Sequence, residues 1–195
     1  MKTNIIKILI YLIIGSTIGL SSYEIIKDNS IKNKLIDTMN SKIKFISEEN
    51  KLYYLKDYKI YGQTTNPDKY TFVDLDNDNV KELAVLTDSD YGAYMIFRYN
   101  LKEKKIYGYM IGIRGFQAVK KDGTFRGSNG AADHMYVKAE FHDNKILFKT
   151  LAHDSRDYNE YKINNKTVSE EEIIKYVKTF NNKKECIWKE ANKKK

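Results

Sequence analysis

The sequence predicts an α+β fold, in which an antiparallel β-meander sheet is preceded by one helix and followed by another. From Leu52 onward, short segments rich in tyrosine and β-branched residues alternate with glycine, asparagine and aspartate, a pattern typical of strands joined by turns. Connections such as 121–123 and 142–144 have the length of hairpin turns, so neighbouring strands should pair antiparallel. The chain has 195 residues, which suffices for one domain but is too short for a full propeller.

The predicted strands cover most of the middle of the chain. They are residues 53–55, 59–61, 71–75, 82–87, 93–99, 105–113, 116–120, 136–141, 145–151 and 159–163. The chain has one proline, Pro67, and it falls in a predicted turn region, 62–68, where a missing backbone N–H is tolerated.

A first helix is predicted by apolar residues that recur at three- and four-residue steps. These residues are Ile31, Leu35, Ile36, Met39, Ile43 and Ile46. Ser30 is the expected N-cap. Segment 22–50 is therefore predicted to be helical, either packed on the sheet or acting as a stalk that lifts the domain from a membrane.

A second helix should begin after Ser169. Ser169 and Glu172 have the spacing of a capping box, and Val168 can contact Ile173 across the helix start. The expected buried face consists of Ile173, Ile174, Val177 and Phe180, and the expected helix end is Asn181 and Asn182. Trp188 is expected to anchor the last segment in the core.

The first 21 residues have the pattern of a secretory signal peptide. Lys2 and Lys7 precede an apolar run, 8–20, and small residues lead to a cleavage site after Ser21. An uncleaved membrane anchor is the alternative, although the run is short for a span of about 20 residues. We expect a helical segment, 22–50, then a calcium-loop domain, 51–195, secreted or held on the outer face of the membrane.

Composition narrows the expected partners. The formal net charge is +8, but lysine greatly outnumbers arginine, whereas nucleic-acid recognition favours arginine forks. No nucleic-acid partner is expected. The basic tail from Lys183 to Lys195 would suit an anionic membrane or cell wall. Cys186 is the single cysteine, so no internal disulfide is possible, and the stability of the domain should depend on packing and on a metal. We also expect the protein to be a monomer.

The stretch 74–83 is typical of a calcium loop. Asp74, Asp76 and Asp78 occupy alternate positions, and Glu82 follows, which presents hard oxygen donors around one cation. We expect side-chain oxygens from the three aspartates, the carbonyl of Val80 and a closing carboxylate from Glu82 to bind one structural calcium ion. Four acids this close would repel one another without a cation, and a solvated acidic turn is the alternative.

The loop differs from an EF-hand, which requires a bidentate glutamate at its twelfth position. Val85 stands there, and the apolar run 83–86 should carry the loop into a buried strand. The pattern D-x-D-x-D-x-x-x-E-L-x-V resembles the metal loop of FG-GAP repeats, the calcium-binding hairpins of integrin-type propellers. The sixth position is usually glycine in that family and is Asn79 here, a residue that tolerates positive φ.

The order of features resembles a group of small exported proteins of Gram-positive bacteria. A signal, a helix and one acidic loop are followed by a K-x-D-G-T-F hairpin at 120–125, a V-S-E-E-E helix start at 168–172 and a late tryptophan. The resemblance implies the fold and export. It implies no activity, because none is established for that group.

The remaining polar residues do not form a recognisable catalytic motif. His134, His142 and His153 lack the spacing of a zinc pair, and His153, Asp154 and Ser155 are adjacent, so they cannot normally face one another as a triad. Cys186 is expected to be a structural thiol. A pair of glycosidase carboxylates could come from Asp88, Asp90, Asp133 and Glu140, and the small, polar segment 127–134 could be a flexible binding loop.

Together these patterns favour an exported, calcium-stabilised, non-enzymatic module that binds a protein or glycan at the cell surface. No catalytic or further cofactor-binding residue is predicted. An extracellular hydrolase directed at glycan or peptide is one alternative, and a secreted inhibitor or immunity-type protein is another.

The basic start and the apolar run predict export. In mass spectrometry of the protein from its own host, we expect a chain that begins at about Ser22, because small residues precede that position. An intact N-terminus in the membrane would favour the anchor, whereas an intact N-terminus in the cytoplasm would contradict export.

Overall fold

A computed structural model describes residues 28–64, 66–90, 92–142 and 144–191. The predicted signal or anchor, 1–21, lies outside the described residues, as do the last four residues of the basic tail. Among the helices that are described, none combines the length and the apolar character that crossing a membrane requires.

The chain divides into two units, Met1–Lys34 and Leu35–Lys195. In the first unit the described residues, 28–34, are helical, and in the second unit helix α1 continues to residue 39. Leu35 and Met39 are buried. Ser30 lies inside α1 and is not its N-cap, so that part of the prediction is wrong.

The predicted extension of the first helix to Ile46 is also wrong. Ser41 adopts a left-handed backbone with φ of +57°, which cannot continue a right-handed helix. Ile46 instead lies in a strand, where it pairs with Tyr107 of a distant strand. Segment 22–50 therefore contains a helix that ends early and then a strand.

Fourteen strands occur in the described residues. They are β1 Phe45–Ser47, β2 Leu52–Tyr53, β3 Lys59–Ile60, β4 Gln63–Thr64, β5 Pro67–Val73, β6 Glu82–Thr87, β7 Ala93–Asn100, β8 Lys105–Gly112, β9 Phe125–Gly130, β10 Asp133–His142, β11 Lys145–Ser155, β12 Glu160–Ile163, β13 Lys166–Thr167 and β14 Lys189–Glu190. Helix α2 is Glu170–Asn181.

The strands form two meanders and a small hairpin. In the seven-stranded sheet, β5 to β8 pair in chain order, with β14 on one side and β1 and β2 on the other. In the five-stranded sheet, β9 to β13 also pair in chain order, while β3 and β4 form a two-stranded hairpin. Pairing is antiparallel except between β1 and β8. The α+β fold with antiparallel meanders is confirmed, and neither meander closes into a barrel or propeller.

One apolar core joins residues of both meanders. Val73, Ala84 and Ile96 of the first sheet belong to the same buried cluster as Val137 and Ala139 of the second. Aromatic rings fill the space between the sheets, with centroid distances of 4.6 Å for Phe116 and Phe125 and 5.2 Å for Tyr109 and Phe141. Trp188 packs against this cluster, 5.6 Å from Tyr94, in agreement with its predicted role as a core anchor.

Helix α2 covers the second sheet and begins as predicted. The capping box between Ser169 and Glu172 is present in both directions. Ile173 and Phe180 are buried and form a cluster with Tyr136 of β10. Ile174, predicted to be buried, is 53% exposed. The side of α2 that packs on the sheet is narrower than the set of apolar residues in its sequence.

The predicted turn region, 62–68, contains β4 and the start of β5 at Pro67. Two further segments also differ from the sequence prediction. Residues 116–120 do not form a strand, because Ala118 has a positive φ of +47° and the segment makes only isolated bridges. Segment 127–134, predicted to be a flexible loop, is instead most of β9, a short turn and the start of β10, with Gly130 paired to Asp133. Pairing between β9 and β10 decides the second case.

Replacing Phe180 with alanine should destabilise the fold strongly. Its side chain is buried against Tyr136 at a ring distance of 4.8 Å, and truncating a buried phenylalanine costs about 3–5 kcal/mol. Ile174→Ala on the same helix is the matched control and should change the free energy of unfolding by less than about 1 kcal/mol. Urea unfolding measures both, and equal effects would contradict the packing described.

Candidate metal centre

The predicted calcium loop connects β5 to β6 and is held at both ends by the meander. Val73, the last residue of β5, pairs with Glu82, the first residue of β6. Leu75 and Leu83 are fully buried, whereas the tip at 77–79 is exposed. The loop thus starts and ends in the core and presents its polar tip at the surface.

Backbone conformation and close packing shape the loop. φ is +62° at Asn77 and +68° at Asn79, which confirms that asparagine adopts the left-handed conformation at the sixth position. The 121–123 turn packs against the loop start, where a Cβ at Gly123 would lie 2.2 Å from the carbonyl oxygen of Asp74. Only glycine permits this approach, and φ of +79° at Gly123 favours it further.

The loop backbone holds each aspartate by one oxygen. Asp74 Oδ2 accepts a hydrogen bond from the Asn79 N–H at 3.0 Å, and Asp76 Oδ1 accepts one from the Asp78 N–H at 3.2 Å. Asp78 Oδ1 accepts one from the Val80 N–H at 2.7 Å. One carboxylate oxygen from each of the three aspartates lies within 4.8 Å of the others. This cluster could hold a metal ion.

Glu82 is a buried carboxylate associated with the same loop. Its side chain is 0% exposed, and its Oε2 accepts a hydrogen bond from the Leu75 N–H at 2.9 Å. Its Oε1 and the Oδ1 of Asp74 are buried and have no hydrogen bond within the described residues. Unsatisfied buried oxygens of ionised carboxylates are costly, and a cation would offset that cost. The ligand roles of Glu82 and Val80 remain predictions.

Arg98 on β7 supplies a positive charge that the sequence reasoning missed. The register pairs Leu83 with Phe97, so the next residue, Arg98, lies alongside Glu82. Its Nη2 lies 3.5 Å from Asp76 Oδ2 and 3.3 Å from Asp78 Oδ2, and its Nε lies 3.9 Å from Glu82 Oε1. The sequence did contain a signal for this role, because Arg98 is the one charged residue in the mainly apolar and aromatic strand β7. Three carboxylates, those of Asp76, Asp78 and Glu82, face this one guanidinium.

Burial sets the proton affinity of the site. It raises the pKa of Glu82 well above 4.5, and the negative charges of Asp76 and Asp78 act in the same direction, against the Leu75 hydrogen bond and Arg98. Burial, followed by the charge of Asp78, also raises the pKa of Asp76. The site therefore resists holding all its negative charge unless a cation is bound.

The other polar residues of the sequence are distributed over separate contacts. His153 Nε2 lies 2.6 Å from Asp133 Oδ1, in a cavity of about 280 Å³ that Lys162 also lines. Asp154 and His153 are neighbours on β11 and so point to opposite faces. His153, Asp154 and Ser155 therefore do not assemble as a triad.

The candidate glycosidase carboxylates each have their own partner. Asp88 accepts hydrogen bonds from Asn66, and Asp90 accepts one from Gln63. Glu140 lies 3.9 Å from His142. Burial raises the pKa of the Cys186 thiol, which agrees with a structural thiol and not with an activated nucleophile.

No protein-family model, curated protein or solved structure matches the chain. The chemistry of the described residues therefore carries the functional argument.

The raised pKa values of Glu82 and Asp76 predict that protons and the proposed calcium ion compete for the loop. A carboxyl whose pKa is raised in the folded state stabilises the fold below its unfolded pKa, near 4, and this stabilisation is lost as pH rises through the folded value. In chelator, the free energy of unfolding should therefore fall as pH rises above about 4 through that value. Calcium needs the ionised form, so the melting-temperature difference between calcium and chelator should widen from about pH 5 to pH 8.

Differential scanning fluorimetry across this pH range measures the difference, with Glu82→Gln expected to reduce its slope. A calcium effect that is equally large at about pH 5 and pH 8 would contradict proton competition.

Proposed function

We propose that this protein is an exported, non-enzymatic binding module whose β5–β6 loop is stabilised by one calcium ion. The observation that supports the calcium site most directly is the convergence of the Asp74, Asp76 and Asp78 carboxylates. The unsatisfied oxygens of Asp74 and Glu82 add to it. The carbonyl of Val80 would complete the donor set.

The donor set favours calcium over other common metals. Every proposed ligand is an oxygen, which suits hard cations, and no histidine or thiolate belongs to the cluster. Calcium accepts six to eight oxygens in irregular geometry, whereas magnesium prefers a small octahedral shell and keeps its waters. A loop with four carboxylates therefore suits calcium better.

Arg98 neutralises only part of the charge. Its contacts with Asp76 and Asp78 are long, at 3.5 and 3.3 Å, and Asp74 Oδ1 and Glu82 Oε1 have no hydrogen bond within the described residues. When all are ionised, the four carboxylates and the Arg98 guanidinium together carry a formal charge of three negative. A divalent cation would offset most of that charge.

Export and the partner are proposed from the sequence. The signal-like residues 1–21 support a location outside the cell, and the partner would be a protein or glycan at the cell surface. An anionic membrane or cell wall could contact the basic tail. Lys183 already pairs with Asp122 at 2.8 Å, so this contact would depend on Lys184, Lys189 and the terminal lysines.

A hydrolase is the second candidate, and one contact favours it. A histidine that is held by a carboxylate inside a cavity can act as a general base, and His153 and Asp133 have this arrangement at 2.6 Å. No serine or cysteine is among the described residues that line the cavity. The reaction proposed is attack by water, and His153→Ala should abolish it.

Calcium should raise the melting temperature of the protein, because the unfolded chain cannot gather these ligands. At free calcium about 100 times the dissociation constant, the native state gains roughly 2.7 kcal/mol, which corresponds to several degrees. Magnesium should give a much smaller increase. Asp76→Asn should remove most of the calcium effect, whereas Asp90→Asn, an exposed aspartate outside the loop, is the matched control and should keep it. Thermal melts in calcium, magnesium and chelator measure all three proteins.

Arg98→Gln separates the calcium hypothesis from an ion-pair network. Loss of the guanidinium should lower the melting temperature in chelator and enlarge the increase that calcium produces, because the cluster becomes more negative. If wild type melts at one temperature in all three solutions and Arg98→Gln is destabilised equally in each, Arg98 alone balances the loop and the calcium proposal fails.

A further inference from the structure

A cavity lies at the end of the first meander where β7 begins and β8 ends. Its volume is about 570 Å³ and its lining residues are Tyr61, Gly92, Gly112, Ile113 and Arg114. Cavities of about 300–1,000 Å³ are typical of sites for small ligands. None of these residues belongs to the calcium loop.

Two glycines keep this cavity open. Ala93 of β7 pairs with Gly112 of β8, which places Gly92 and Gly112 close together at the same end of the sheet. A Cβ at Gly92 would lie 2.6 Å from the Ile113 Cδ1, and one at Gly112 would lie 3.3 Å from the Tyr61 hydroxyl. Side chains at these positions would fill the space between Tyr61 and Ile113.

Tyr61 is placed beside the cavity by an unusual backbone conformation. Tyr61 and Gly62 connect β3 to β4, with φ values of +50° and +82°, the positive signs of a type I′ hairpin turn. A bulky residue rarely adopts positive φ, and such strain often marks a functional position. The buried Ile60 anchors the hairpin, and the Tyr61 side chain remains 54% exposed.

The charge and the apolar surface of the cavity indicate its ligand. Arg114 is exposed and makes no hydrogen bond or ion pair with any residue in the described ranges, and a free guanidinium binds a carboxylate in a bidentate manner. Ile113 is 42% exposed and, with the Tyr61 ring, offers apolar contact. A glycan would need several converging polar side chains, and the lining residues supply few.

We propose that this cavity binds the C-terminal carboxylate of a peptide that ends in an apolar residue. Arg114 holds the carboxylate, and the terminal side chain packs between Tyr61 and Ile113 above the two glycines. This inference rests on the proposed function only in assigning a binding role, because the cavity and the calcium loop share no residue.

The test is fluorescence polarisation with a labelled pentapeptide that ends in leucine with a free carboxylate. We expect saturable binding to the purified protein in calcium buffer, and at least ten-fold weaker binding of the same peptide with a C-terminal amide. Arg114→Gln should weaken binding of the acid at least ten-fold and leave the amide unchanged. Lys102→Gln, an exposed cation in the turn at the opposite end of β7 and β8, is the matched control and should bind like wild type.

A second variant tests the apolar part of the cavity. Gly112 has φ of −60°, so Gly112→Val introduces no backbone strain and should abolish binding by filling the space. Equal binding of the acid and amide peptides, or tighter binding of decanoate than of the peptide, would overturn the proposal. Melting temperatures of the same samples in calcium and chelator report separately on the calcium site, so failure of one proposal is distinguishable from failure of the other.

Discussion

The apolar contact between the two meanders is the interaction on which the rest of the structure depends. Each meander has one face that needs cover, and the buried cluster contains residues of both. Phe141 illustrates the consequence, because its ring lies 5.2 Å from Tyr109 and 4.9 Å from the guanidinium of Arg98. The packing that closes the core therefore also supports Arg98 where it faces the acidic loop.

Charge is the second constraint, and it follows from this burial. Glu82 begins a central strand and cannot reach water, and the three aspartates converge beside the same strand end. A guanidinium offers directional hydrogen bonds to a few oxygens, whereas a small divalent cation can be approached by many oxygens at once. Because of this difference, Arg98 and the proposed calcium ion would contribute to the site without replacing each other.

The two proposed sites lie toward opposite ends of β7. Arg98 faces the calcium loop near the end of that strand, and Gly92 lines the peptide cavity just before its start, a separation of roughly 20 Å at about 3.3 Å per residue. Calcium would therefore act on ligand binding through the stability of the meander and not by direct contact.

Local chemistry explains what the sequence determined by itself. The acidic spacing from Asp74 to Glu82, the left-handed backbone of Asn79 and the capping box at Ser169 each involve residues a few positions apart, so the loop, its turn and the start of α2 were predictable. The tertiary structure alone decided which distant groups meet. It brought Arg98 beside Glu82, paired His153 with Asp133, turned segment 127–134 into a hairpin and ended α1 before Ile46. The physical reason is that strand register and sheet packing depend on the free energy of the whole fold, which no short stretch of sequence contains.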